Sequence, residues 1–402
     1  MTTKSIPTSS LSSGVLATIV ASRFALNAVF RVTYPLVPFI ALSYSVTAEQ
    51  ATWIVTIQVL CGLASPLGGW LGDRLGYRRT MALGAALVLL GAFGAALAPS
   101  LPLLIVAFGL CGLGISVYQP PMQAYVSALT PYHLRGRAVG LVELSWALAG
   151  ILAVPSLMWL VERQESIVGA FTLLGVCLTL VTLATLFILP NPPAQPRDDA
   201  TNAGGPGAVL RNPNVLGMLG FVFLTLGGLE MLFIVQSPWA AERFNASLVD
   251  LGLAAFVFGL GEIGGSLGST LLTDRLGKRR AATIGFGLAA IVYLLLPLLS
   301  VSWPVYLICF FFFALFAEFG IVAALTFAST VSLVSRATVM ALTVMAIQVS
   351  RAISSRIGVP LWEATSLSVN GVVAALLTLV GIAVALRYAH EAERHAPLVE
   401  RS

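Results

Sequence analysis

The sequence predicts an all-α integral membrane protein with 12 transmembrane helices in two pseudo-symmetric six-helix bundles. Three observations carry that prediction. The chain is 58% hydrophobic and only 10% charged, whereas soluble domains run near half apolar and a quarter charged. Apolar runs of twenty or more residues recur without strand-like alternation, which selects helices over a closed barrel. The stretch GDRLGYRRT at Gly72–Thr80 returns as TDRLGKRRA at Thr273–Ala281, 201 residues later and half the chain away.

Taken in order, the spans are expected at 14–42, 50–72, 80–98, 102–129, 138–161 and 167–189. The second set falls at 214–240, 250–272, 281–300, 304–331, 338–361 and 369–388. The polar N-terminus MTTKSIPTSSLSSG precedes a run too long for a signal-peptide core, so the first span reads as uncleaved. Between the sets lies PNPPAQPRDDATNAGGPGAVLRNPN, with the Pro, Gly and Asn content of a linker. The expected division is an N-terminal bundle at 1–190, a linker at 191–212 and a C-terminal bundle with a short tail at 213–402.

Basic residues set the orientation. Arg74, Arg78, Arg79, Arg135, Arg137, Arg197, Arg211, Arg275, Lys278, Arg279, Arg280 and Arg336 fall on one side with both termini, and the opposite loops hold Arg163 and Arg243. The positive-inside rule makes the richer side cytoplasmic, so a multi-pass protein of the cytoplasmic (inner) membrane is expected. The same bias accounts for the basic isoelectric point without a nucleic-acid partner.

No cofactor or metal is expected. Cys61, Cys111, Cys177 and Cys309 stand singly in separate apolar runs, and His133, His390 and His395 lie in a loop and the tail. Gly264-Gly265-Ser266-Leu267-Gly268 spells a nucleophile elbow and Gly259–Gly264 a dinucleotide fingerprint. Both need a strand-to-helix turn, and both lie inside an apolar helix. They read as small-residue helix contacts, and no enzymatic activity is expected.

The repeated cluster combines an acid, a turn glycine and several bases in a short loop. Asp73 and Asp274 end their spans where the helix dipole disfavours an anion, and Gly76 and Gly277 permit a tight turn. That is a polar clasp, and a clasp that opens is a gate. Gly69, Asp73, Arg74, Gly76, Arg78 and Arg79 form one copy; Asp274, Arg275, Gly277, Arg279 and Arg280 form the other. Arg135 and Arg336, also 201 residues apart, follow the fourth span of each half. Glu143 is expected to form a gate ion pair near the Arg135 loop.

Gly69 to Arg79 resembles the loop 2–3 signature of the major facilitator superfamily. Thr270 to Arg280 matches the same signature with Thr270 in place of the first glycine, and the resemblance, which includes bacterial drug and metabolite exporters, extends over essentially the whole chain. It implies alternating access, with two bundles rocking about a central site, the clasp holding the outward-open state, and a monomer. Two positions depart from the proton–drug antiporter pattern. Phe108 stands where an arginine precedes the glycine at Gly112. Span 5 keeps Gly150 and Pro155 but has Val154 before the proline and no glycine pair after it.

Eight ionisable residues fall within spans: Arg23, Arg31, Arg351, Arg356, Glu143, Glu230, Glu262 and Glu318. Each costs about 2.5–3.5 kcal/mol at mid-bilayer. All eight unpaired would exceed a typical fold's net stability, so they must pair, neutralise or face water. Two readings stand open: buried ion pairs between helices, or substrate and proton sites in a cavity. Arg23, Asn27, Arg31 and Tyr34 recur at four, four and three, within about 80° of one helical face, and so predict a cavity-facing stripe. Gln348, Arg351 and Ser355 make a second stripe. The two central arginines either clamp an anion or each pair with a glutamate.

The expected substrate site comprises Asn27, Arg31, Tyr34, Tyr118, Gln119, Phe233, Gln236 and Arg351, with Glu230 and Glu318 as proton carriers. Glu262, set among glycines, reads as a packing or pairing residue. The expected function is a secondary active transporter moving a small organic solute across the lipid bilayer, as a proton-coupled exporter working by antiport. The alternatives are a carrier of organic anions or anionic lipids, and a receptor or scaffold without flux.

Overall fold

The computed structural model describes residues 13–130, 135–190, 210–331 and 336–390. Nearly all of the expected linker lies outside them. Among the described residues, 12 helices are long and apolar enough to cross a membrane.

The first half contains α1 (Ser13–Ser43), α2 (Ala48–Leu75), α3 (Tyr77–Ala96), α4 (Leu101–Leu129), α5 (135–164) and α6 (Val168–Phe187). The second contains α7 (Pro213–Phe244), α8 (Leu248–Leu276), α9 (Lys278–Leu299), α10 (Trp303–Val331), α11 (Arg336–Ala364) and α12 (Leu367–Tyr388).

Local chemistry sets the ends. Thr47 with Gln50, and Ser247 with Asp250, form capping boxes that satisfy the first amides of α2 and α8. Gly76 and Gly277 join α2 to α3 and α8 to α9 at φ of 86° and 83°, where a Cβ would be strained.

Among the described residues three helices are interrupted, each beside a proline. Proline lacks an N–H, so the carbonyl four residues earlier loses its partner. For Pro66 that carbonyl belongs to Gly62, in a 3₁₀ turn at Cys61–Ala64. For Pro155 it belongs to Ile151, in a π-helical turn at Ala149–Ala153. For Pro238 it belongs to Ile234, where α7 breaks between Phe233 and Gln236.

The repeat is visible in the packing. α3 packs on α4 and α6 as α9 packs on α10 and α12, and α1 meets α5 as α7 meets α11. The halves meet along two equivalent seams, α2 with α11 and α5 with α8. Both seams lie mainly toward the end opposite the Gly76 and Gly277 turns. There α11 touches the Ala48–Ala51 and Trp53–Leu60 segments of α2, and α8 packs on Val154–Gln164. We call the turn-bearing end the basic face and the other the far face. Large apolar side chains such as Leu180, Leu271 and Leu298 point outward, a surface that only lipid accommodates over twelve helices.

Candidate functional site

A cavity of about 820 Å³ lies between the halves. It runs from Gln236 and Tyr306, near the far face, to Thr270 and Thr326 on the basic-face side. Its walls are largely aromatic. Tyr34 and Phe233 meet at 4.8 Å between ring centroids, Phe233 and Phe258 at 4.9 Å, and Phe258 and Phe310 at 5.0 Å.

Of the expected substrate residues, Arg31, Tyr34, Phe233, Gln236 and Arg351 line this cavity. Gln236 leaves its buried Oε1 without a partner. Asn27, Tyr118 and Gln119 stand elsewhere. The near-basic part of the α1 stripe turns to α5, where Asn27 Nδ2 donates to Ser145 Oγ at 3.2 Å. Tyr118 is fully buried where α4 crosses Gly84 of α3. Gln119 is half-buried outside the wall.

Each span arginine faces an acid. Arg31 Nη1 lies 2.7 Å from Glu262 Oε2 and donates to Oε1 at 2.9 Å. Trp146 Nε1 donates to the same Oε1 at 2.9 Å, and the guanidinium lies 4.9 Å from the Trp146 ring centroid. This pair is well buried, with side chains only 8% and 7% exposed, and it joins the two halves. Arg351 Nε donates to Glu230 Oε2 at 2.9 Å, and its Nη2 to Tyr34 Oη at 2.6 Å. Tyr34 Oη in turn donates to Glu230 Oε1 at 3.0 Å. Arg23 Nη2 lies 4.0 Å from Glu143 Oε2, an ionic approach too long for a hydrogen bond.

Arg356 takes a partner that span counting missed. Its Nη2 donates to Glu49 Oε1 at 2.8 Å, and its guanidinium lies 4.1 Å from the Trp53 centroid. Glu49 sits at the start of α2, outside the expected span. With Glu49 drawn in, one glutamate is left over. Glu318 lines the cavity, its Oε1 accepts from Ser266 Oγ at 2.9 Å, and among the described residues no arginine or lysine lies within 4 Å of it. Trp146, Phe258 and Ser266 are further wall residues that single-span patterns did not reveal. Their signal was only helical spacing beside Glu143 and Glu262.

The clasp residues divide by type. Arg78 Nη1 donates to the Leu189 carbonyl at 3.3 Å, and Arg279 Nη2 donates to the Leu386 carbonyl. Each copy therefore ties the third helix of its half to the end of the sixth, where a cation suits exposed carbonyls. Arg74 stacks on Trp70 at 4.3 Å. Asp73, Asp274, Arg79, Arg275 and Arg280 are exposed, and a side chain at Gly69 would meet open space. Among the described residues neither aspartate has a cation within 4 Å. The side chain of Arg135 lies outside the described residues; Glu143 lies opposite Arg23, where α5 packs along α1.

The family model for the Major Facilitator Superfamily matches residues 19–355, and again 218–401. The chain belongs to the major facilitator superfamily. That is a family of transporters, not of enzymes. The uncharacterized MFS-type transporter YwfA of Bacillus subtilis (strain 168) is 23% identical over 375 residues, covering 90% of this chain and 89% of YwfA. The galactose-proton symporter of Escherichia coli (strain K12) is 29% identical over 160 residues, 39% of this chain. That match spans only a third of the symporter's length, 33%. Among solved structures, the D-xylose-proton symporter superposes with a TM-score of 0.78 at 15% identity, covering 94% of this chain and 98% of its own. At that identity the likeness concerns the superfamily fold alone.

Proposed function

We propose that this protein is a secondary active transporter that moves a small organic solute by alternating access, coupled to protons at Glu318. The observation that carries the reading is the isolation of Glu318 on the cavity wall. A proton carrier must exchange a charged state for a neutral one while in reach of water. Glu230 is fully buried and held by Arg351 and Tyr34. Glu262 is held by Arg31 and Trp146. Among the described residues Glu318 has a serine hydroxyl as its one hydrogen-bond partner, which can donate to a carboxylate or accept from a carboxylic acid.

The basic face is read as cytoplasmic by the positive-inside rule. The cavity is then open to the cytoplasm and closed outside, and the parted aspartates of the clasp fit that state. The name of the galactose-proton symporter is consistent with proton coupling. The anion-clamp alternative is weakened, because each central arginine already faces a glutamate. Direction depends on whether cargo and proton share Glu318: a shared carboxyl gives antiport and export, and separate sites give symport.

A thermal-stability screen tests the reading. Cationic, neutral and anionic solutes are tried on wild type and Glu318→Gln at two pH values. A ligand bound only by the folded state stabilises it by about 2.7 kcal/mol at a hundred times its dissociation constant. The expected result is a ligand whose effect depends on pH in wild type and not in Glu318→Gln. The same pH dependence in both proteins would overturn the assignment.

A further inference from the structure

Arg31 makes its ion pair from an unusual seat. The π turn of α5 contains Gly150, and this turn packs against α1. A methyl group placed on Gly150 would lie 2.6 Å from Arg31 Nη2, 2.8 Å from Cζ and 2.9 Å from Nε. Those three are its nearest neighbours. The guanidinium therefore rests on bare backbone, with Nη1 directed at Glu262. The 201-residue offset of the repeats carries Gly150 onto Arg351. Where the second half grows an arginine from its fifth helix, the first half has a glycine and fills the space with an arginine from α1.

We infer that Gly150 is the positioning residue that holds Arg31 on Glu262, and that it thereby leaves Glu318 as the one carboxyl of the central cavity without a cation. The second clause rests on the proposed role of Glu318; the first stands on geometry alone. Arg31 lines the cavity, so an arginine pushed off this seat has open space on that side. The acids facing it there are Glu262 of α8, Glu318 of α10 and Glu143 of α5, the last already opposite Arg23. Arg351, Glu230 and Tyr34 are closed on one another. Glu262 and Ser266 are one turn apart on α8, and Ser266 binds Glu318. Displacing Arg31 therefore strips the cation from one carboxyl and brings it to a neighbour on the same wall. Which carboxyl of this wall faces the cation thus depends on a missing methyl group.

A double-mutant cycle on the purified full-length chain tests the seat. Gly150→Ala is measured in wild type and in Arg31→Ala. Alanine is the better helix former, so a purely local effect raises the melting temperature in both backgrounds. The expected result is a fall in wild type and a rise in Arg31→Ala. The same change in both overturns the proposal, whatever the transport assays show. Arg31→Lys keeps a cation, has no atom in the place of Nη2, the nearest of the three contacts, and replaces the planar fork with a flexible chain end. It is expected to recover part of the melting temperature lost in Gly150→Ala.

A second readout tests the consequence. The pH midpoint of ligand stabilisation is expected to move in Gly150→Ala and to return in Gly150→Ala with Arg31→Lys. Coupling in the cycle with an unmoved midpoint would overturn the claim about charge. Glu318→Gln tests the carrier assignment separately, so the two failures are distinguishable.

Discussion

Tyr34 donates a hydrogen bond to Glu230 at 3.0 Å across the boundary between the two halves. A hydroxyl from α1 thus closes an ion pair whose members both belong to the second half. Tyr34→Phe removes a bond to a charged acceptor, expected to cost about 1.5–3 kcal/mol. Glu230→Gln leaves Arg351, 17% exposed on the cavity wall, without its counterion, expected to cost about 3 kcal/mol, the lower end for a broken buried pair. Unfolding in denaturant should rank the two variants in that order. A neutral Tyr34→Phe would mean that the halves are not joined there.

The far face is held by weaker links. Arg356 and Glu49 have side chains 24% and 41% exposed, and such pairs contribute about 1 kcal/mol or less. Glu162 Oε2 accepts from the Val249 amide at 2.8 Å across the other seam. Both are suited to break during a cycle. In a chain whose four cysteines are replaced, a cysteine at Ser355, which is buried beside Thr56, should label slowly from that face. Adding Arg356→Ala should speed labelling several-fold, about what 1 kcal/mol yields in a two-state equilibrium. Unchanged labelling would remove this pair from the gate.

The clasp predicts a contrast between two neighbours. Asp73 is exposed and has no described cation partner in this state, so Asp73→Asn should leave the melting temperature unchanged. Gly76 holds φ at 86° with ψ at 148°, an extended positive-φ region that is essentially glycine's alone, so Gly76→Ala should cost about 1–3 kcal/mol of backbone strain. If Asp73→Asn destabilised the protein as much as Gly76→Ala, the clasp would be closed in solution.

Much of the fold was legible because bilayer thickness dictates the length of an apolar run. The breaks were not. Pro66, Pro155 and Pro238 interrupt their helices, while Pro35, Pro120 and Pro360 lie inside continuous ones. Whether a freed carbonyl opens a helix depends on what packs against it, and that is not written locally. The wall positions of Arg31, Tyr34 and Arg351 were legible as polar stripes on apolar helices. Asn27 belongs to the same stripe yet meets Ser145, because the arc that faces a cavity is set by the neighbouring helix. Charge pairing was the least legible. Four arginines and four glutamates in the spans suggested a closed set. Glu49, from the α2 start, takes Arg356 and leaves Glu318 over, a result that only the packing of α2 on α11 produces.

Proton-driven transport at Glu318 is the central claim, and flux in proteoliposomes tests it most directly. With a ligand from the stability screen loaded, a pH gradient should drive uphill movement in wild type. Glu318→Gln should abolish uphill movement yet keep exchange down the ligand's own gradient, because the cavity remains while the titrating group is gone. Uphill transport at the wild-type rate in Glu318→Gln would contradict the account.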